Sequence, residues 1–353
     1  MKTTSFALLL AGAALTAAEA DAQATYYETF AAESFEYAPG PLGFVTPADG
    51  GSGWADKWYS GLSGYAAQVV SPGLDAVGNG VWTRFQNDGS YRKIDTAPLG
   101  PLVDPNLELG VDGSVVYVSF RSVRDVTSND DYGGLSLNLW LVAEQLFLGS
   151  PSGTVEWGVE SPGMPAVTVP GSNCTVPTRL VYRIDFLAGD DQVRLWIDPV
   201  DDNPDPALTP PDLDTMVADL TFNEIRLQSG NSPDLTGWHF DAIDLSAPAW
   251  RPLLSITNAV AGQAAAIDLV NLTPFATAAI GYSLAGPGPV QTPLGTVFLS
   301  PPIRQLPATA DPNGEVHLSF PLPPSLSGRT VYVHAGETAP AQALSNPLVV
   351  NIQ

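Results

Sequence analysis

Between residues 179 and 247 four segments follow one another, RLVYRIDFLAG, DQVRLWID, FNEIRLQSG and GWHFDAIDLS, and each alternates apolar with polar side chains. In the first, Leu180, Tyr182, Ile184 and Phe186 fall on one side and Arg179, Arg183 and Asp185 on the other. A period of two is the pattern of a strand with one buried and one wet face. Glycine, proline, asparagine and aspartate separate the segments, as turns require. The pattern predicts antiparallel β-structure and names no reaction.

Upstream, GSVVYVSFRSV, GGLSLNLWLV and EQLFLG extend the strand reading, and no amphipathic helix is predicted; Asp214 to Asp219 could form at most one turn. Two loops, Pro162 to Pro177 and Pro199 to Leu213, are longer than strand connections need. Charge divides the chain. Residues 25–250 hold 10 basic and 31 acidic side chains, residues 251–353 only 3 and 4, and all eight tryptophans fall at or before Trp250. A boundary is therefore expected near Ala247-Pro248-Ala249-Trp250-Arg251-Pro252, giving a first domain over 25–248 and a second over 252–353. In the second, LLSITNAVAGQAAAIDLV, AAIGYSLAGPG, GEVHLSFPLP and RTVYVHAG alternate again, which suits a small immunoglobulin-like sandwich without its Cys-Trp-Cys hallmark.

Residues 1–24 read as an export signal: Lys2, an apolar run from Phe6 to Ala18, and a small-x-small site at Ala22-Gln23-Ala24. The expectation is a protein secreted or held at the cell surface, with no membrane insertion. Cys174 is the sole cysteine, so an internal disulfide is excluded and the fold must rest on its core. A formal net charge of −23 argues against nucleic acid as a partner, since the phosphate backbone requires positive potential.

The run EQLFLG, LVYRIDF, VRLWIDP and FDAIDLS, with GWADKW near its start, resembles the laminin G-like (LamG) jelly rolls of the concanavalin A-like lectin and glucanase superfamily, over Phe35 to Ser246. The resemblance implies a two-sheet jelly roll whose relatives often bind glycans, sometimes with calcium, and occasionally hydrolyse them. The C-terminal region more faintly resembles β-sandwich modules appended to bacterial secreted proteins, through ADPNGEVHLSFPLP and LSNPLVV.

A glycosidase needs two carboxyl groups about 5–5.5 Å apart for retention or roughly 6.5–9.5 Å for inversion. Glu156 and Glu160 share a face but are four residues apart, about 13 Å along a strand. No strand carries an i, i+2 carboxylate pair, which leaves a pair assembled across strands, such as Glu224 with Asp185. There is no Gly-x-Ser-x-Gly elbow, no His-Glu-x-x-His and no phosphate loop. Catalysis has little to work with here.

Binding has more. On alternation Asn138 and Trp140 oppose the Leu135, Leu137, Leu139 and Leu141 face, and Gln192, Arg194 and Trp196 oppose Val193, Leu195 and Ile197. A sugar site wants tryptophan beside amides and guanidinium groups, because pyranose C–H faces pack on the ring while polar neighbours take the hydroxyls. Asn138, Trp140, Arg183, Arg194 and Trp196 are the candidate ligand residues; alternatively the tryptophans pack beneath loops. Trp54 and Trp58 read as core anchors of the N-terminal arm. In DPVDDNPDP, Asp198, Asp201 and Asp202 could hold Ca2+, or form a solvated acidic loop. The expected partner is a polysaccharide or cell-surface glycan bound without catalysis. Two other readings stay open: a hydrolase or lyase with a cross-strand carboxylate pair, and a purely structural or adhesive surface component.

Overall fold

The computed structural model describes residues 27–45, 48–60, 66–74, 78–83, 89–125, 132–140, 142–230, 237–249, 252–340 and 343–353. The leader, Asp130, Asp131 and the Trp250–Arg251 junction lie outside the described residues. The chain is all-β, built from antiparallel sheets of which none is closed. Among the described residues no helix is long and apolar enough to cross a membrane.

Residues 27–248 form two sheets. The longer runs, edge to edge, through Leu213–Val217 (β13), Asp191–Ile197 (β12), Thr178–Asp185 (β11), Val115–Arg124 (β6), Trp238–Pro248 (β15), Gly80–Thr83 (β4), Gln68–Val70 (β3) and Gly40–Pro41 (β2). Tyr27–Glu33 (β1) shares the outer edge of β15, pairing with Ile243–Pro248 while β4 takes Trp238–Phe240. The shorter sheet runs through Val167–Thr168 (β10), Gly158–Glu160 (β9), Ala143–Ser150 (β8), Tyr132–Leu139 (β7), Glu224–Gly230 (β14) and Ser90–Lys93 (β5).

One buried cluster joins the sheets. Val116, Val118, Phe120, Leu180, Tyr182, Ile184, Val193 and Leu195 come from the longer, and Leu135, Leu137, Leu146, Leu148, Ile225 and Leu227 from the shorter. These are the alternate residues of their strands, so the alternation that predicts the strands also selects the faces that meet. Each such side chain contributes about 1.5–3 kcal/mol by leaving water. Cys174 is buried, and burial pushes its thiol pKa up.

The N-terminal arm is fastened by an ion pair between Glu33 and Arg92, both almost wholly buried. Tyr37 donates its hydroxyl to Glu33 Oε2 at 2.6 Å and Trp58 its indole N–H at 2.8 Å. The Arg92 guanidinium lies 4.9 Å from the Trp54 ring centre and donates to the Gly50 carbonyl at 2.7 Å. Trp58 is fully buried and Trp54 packs against the core, the anchoring roles expected of them.

Residues 253–351 form a three-stranded sheet of Leu253–Thr257 (β16), Ala264–Val270 (β17) and Val316–Pro321 (β22), and a four-stranded sheet of Arg304–Thr309 (β21), Thr277–Ser283 (β18), Thr330–Ala339 (β23) and Leu348–Asn351 (β24). A separate hairpin pairs Pro289–Thr292 (β19) with Gly295–Phe298 (β20). Leu254, Leu269, Ile280 and Val333 belong to the separate core of this region. It also has an apolar cavity of about 750 Å³, lined among others by Ile256, Ala265, Tyr282, Leu306 and Val331.

Candidate functional site on the outer face of the shorter sheet

The sequence candidates fall on two faces. Trp140 follows β7 of the shorter sheet, while Arg183, Arg194 and Trp196 lie on β11 and β12 of the longer. The core-facing neighbours of each set point into the one shared cluster, so the two sets occupy opposite outer faces. They cannot share a ligand.

On the longer sheet the expectation of a stacking tryptophan fails. Trp196 is 2% exposed and packs with Tyr117 and Val181. The loop after β12 covers it, Thr209 accepting its indole N–H at 2.8 Å and Pro204 accepting the Tyr117 hydroxyl at 2.8 Å. The long loop therefore acts as a cap over an apolar patch. Arg183 and Arg194 stand opposite one another across β11 and β12, and Asp185 engages both, at 2.6 and 2.5 Å. Asp214 takes a further contact from Arg194 at 3.2 Å. Both guanidinium groups are thus committed to carboxylates of the sheet.

The acidic loop is committed too. Asp198 accepts the Arg179 backbone N–H at 2.7 Å, and Asp202 pairs with the Arg179 guanidinium. Asp201 is exposed. Among the described residues no group of three His, Cys, Asp or Glu side chains is arranged to hold a metal ion. Asp198, Asp201 and Asp202 therefore do not come together as a calcium site. Glu224 with Asp185 also separates as a cross-strand pair, the two lying on opposite outer faces.

The outer face of the shorter sheet is different. Strand register places Lys93 (β5), Glu224 (β14), Asn138 (β7) and Glu144 (β8) side by side in one rung. The next rung holds Tyr91, Arg226, Ser136 and Phe147, and the one beyond it Gln228, Gly134 and Gly149. Gly134 is required by close approach: a Cβ there would stand 2.1 Å from the Leu148 carbonyl oxygen. Polar residues on a wet face are ordinarily exposed, yet Glu224 is 2% and Asn138 5% exposed, and Ser136 is fully buried. The rungs form a polar patch that is shielded from water.

Aromatic rings stand beside the patch. Tyr59 stacks on Tyr91 with ring centres 5.3 Å apart, and its hydroxyl bonds Glu224. Trp140 is 45% exposed. Lys93 Nζ lies 4.3 Å from the Trp140 ring centre, and the Arg226 guanidinium 4.9 Å from that of Tyr91. Burial pushes the Glu224 carboxyl pKa up, against the opposing pull of the Tyr59 hydroxyl, Lys93 and Arg226. Glu144 leans the other way, bonded by Ser136 at 2.5 Å and Gln228 at 2.6 Å.

Two donors here have no acceptor: the amide nitrogen of Asn138 and Nε of Arg226. A buried polar group without a partner is costly and rare in folded proteins. Asn138 and Trp140 thus do come together, in company that the sequence reading missed: Tyr59, Tyr91, Lys93, Glu144, Arg226 and Gln228. The alternation of Glu224, Arg226 and Gln228 in FNEIRLQ was the available signal. Their pairing with β7, 86 register positions upstream by residue number (Glu224 to Asn138), was not readable without strand order.

No family model matches the chain, and no curated protein matches it either. Among solved structures it is similar to a Trypanosoma rangeli sialidase at 12% identity and a TM-score of 0.29, covering 60% of this chain and 34% of that one. The chain thus spans about a third of that sialidase's length. It is also similar to a tandem of CBM22 domains from Paenibacillus barcinonensis Xyn10C, at 9% identity and a TM-score of 0.30, covering 90% and 92%. Likenesses at this level carry no argument about function, which must rest on the chain's own side chains.

Proposed function

We propose that the protein binds a saccharide on the outer face of the shorter sheet, without catalysis. The observation that carries this reading is the unpaired, buried amide of Asn138 beside the rings of Tyr59, Tyr91 and Trp140. Rings offer flat apolar surface to pyranose C–H faces, and an amide without an acceptor is ready for a hydroxyl. The same reading takes the two facing sheets as a concanavalin A-like jelly roll of LamG type and the C-terminal sheets as an immunoglobulin-like module. It takes residues 1–24 as a leader that directs the chain to the cell exterior, where a polysaccharide or cell-surface glycan would be the partner.

Calorimetric titration of the leaderless chain with soluble polysaccharides tests it. Asn138→Ala and Tyr91→Ala should each weaken binding by about 1–3 kcal/mol, the scale of a well-packed contact at an interface. Undiminished affinity in both variants would move the site elsewhere.

One observation favours a second reading. Glu224 and Glu144 flank Asn138 in a single rung, two strand spacings or roughly 10 Å apart at the backbone. That is near the separation an inverting hydrolase uses, with the raised Glu224 as acid. Release of reducing ends from a bound polysaccharide, abolished in Glu224→Gln, would decide for hydrolysis.

A further inference from the structure

We infer that the C-terminal region carries a binding site of its own, which takes a free long-chain fatty carboxylate between its two sheets. The inference does not depend on the saccharide reading. Its starting point is the apolar cavity of about 750 Å³ in this region. Protein interiors are packed to the density of organic crystals and leave few voids larger than a water molecule. Pockets that take small molecules have volumes of about 300–1,000 Å³. The space is of ligand size.

Both sheets supply its walls. Ala265 and Ile267 of β17 line it from the three-stranded sheet, and Ile280 of β18 and Val333 of β23 from the four-stranded one. These four are buried and form the floor. Leu284 and Phe320 also line the cavity but are exposed, which puts its mouth on their side. Among the described residues of the lining, only Tyr282, Ser283 and Arg304 have polar side chains. A molecule that fills this space must therefore be apolar over most of its length.

The polar end is set by register. Ser283 is committed, donating its hydroxyl to the Ser300 carbonyl at 2.5 Å. Tyr282 and Arg304 stand directly opposite one another across β18 and β21. On alternation Arg304 shares a face with Leu306, which also lines the cavity, so the edge strand β21 turns a cation inward. Among the described residues no other side chain engages the Arg304 guanidinium or the Tyr282 hydroxyl. No carboxylate lines the cavity, so nothing there repels an anion. Arg304 is exposed, and its stem can follow the apolar wall while its head stays at the mouth. A guanidinium fork matches a planar carboxylate with two parallel hydrogen bonds, and a phenol hydroxyl adds a third. A neutral hydrocarbon would leave both groups unused, and a cationic amphiphile would set like charges together.

The test titrates the leaderless chain with dodecanoate, dodecanol and butanoate, each below the concentration at which it self-associates. Dodecanoate should bind and raise the melting temperature, as a ligand of the folded state does. It should bind at least tenfold more tightly than dodecanol, which lacks the charge, and at least a hundredfold more tightly than butanoate, which lacks the chain. Arg304→Gln, at an exposed position, should remove the preference over dodecanol and leave the affinity for dodecanol unchanged. Ala265→Leu, which fills the floor, should weaken both long-chain probes at least tenfold with the melt kept; if that variant does not fold, Arg304→Gln decides alone. If dodecanoate does not bind, or butanoate binds as tightly, the cavity is no acyl site and the inference falls. If dodecanoate binds and Arg304→Gln leaves its affinity unchanged, the carboxylate assignment is overturned. Arg304 would then serve only to keep the edge strand from pairing with another chain.

Discussion

Asn138 and Glu224 stand directly opposite one another across β7 and β14, both buried, and the amide nitrogen of Asn138 finds no acceptor. A strand pair placed for stability alone would fill such a position with an apolar residue or complete its hydrogen bonds.

The cost of that arrangement can be measured. An unmet buried donor is unfavourable by about 1–3 kcal/mol. Asn138→Leu, close to isosteric, should therefore raise stability in urea by about 1 kcal/mol while weakening saccharide binding. A loss of stability would show that the amide is satisfied in the folded protein.

Trp196 should behave in the opposite way. It is sealed beneath the loop after β12 and lies on the outer face of the longer sheet, away from Asn138 and Glu224. Trp196→Ala should cost about 3–5 kcal/mol of unfolding free energy, the range for truncating a large buried aromatic. Affinity of the remaining folded protein for its ligand should be unchanged.

The Glu33–Arg92 pair makes a third case. Arg92→Met would leave a buried carboxylate with hydrogen bonds from Tyr37 and Trp58 but no counter-charge. Breaking a buried pair in this way costs about 3–5 kcal/mol. Adding Glu33→Gln to Arg92→Met should recover part of the loss, and a double-mutant cycle in urea measures how much.

Stability should also fall as pH rises. Burial raises the carboxyl pKa values of Glu224, Asp191 and Asp244. Asp268 and Glu315 raise that of His317 by hydrogen bonding. In all four cases the folded state holds its proton more tightly than the unfolded chain. For the carboxyls, stability declines from the unfolded pKa, about 4, up through each raised folded value. For His317 the decline begins near 6.5 and ends above its folded pKa, and exposure of the ring keeps it small. Glu156, held down by the Gly171 N–H and Thr168, works the other way at an exposed position. Urea midpoints across this range should show a shallower acid-side slope in Glu224→Gln and a shallower neutral slope in His317→Asn.

Domain independence is the last expectation. Strand pairing and core clusters both divide between residues 27–248 and 253–351. A fragment of residues 25–248 should be soluble and melt cooperatively. Aggregation of that fragment, with the whole chain well folded, would place the boundary elsewhere.

Much of the framework was legible because alternation reports burial directly. Spacing alone assigns Leu180, Tyr182 and Ile184 to the core face, and there they lie. Trp196 was misread because period two says only that it leaves the main core; the loop that covers it is polar and proline-rich and gives no apolar signal. Arg183 and Arg194 looked available because their shared partner, Asp185, acts across a strand pair. The polar patch was hidden for a related reason. Its rung draws on β5, β14, β7 and β8, which are not consecutive, and only strand order brings Lys93, Glu224 and Asn138 together.

Tyr27 at the start of β1 pairs with Pro248 at the end of β15. The chain therefore enters and leaves this unit at neighbouring points on one sheet edge. Joining those ends needs only a short linker, and new termini could be opened at an exposed turn such as Gly189, with the native pairings kept. The unit is built as a cassette: it can be circularly permuted, or set into the loop of a host protein, with little displacement of the host on either side of the insertion.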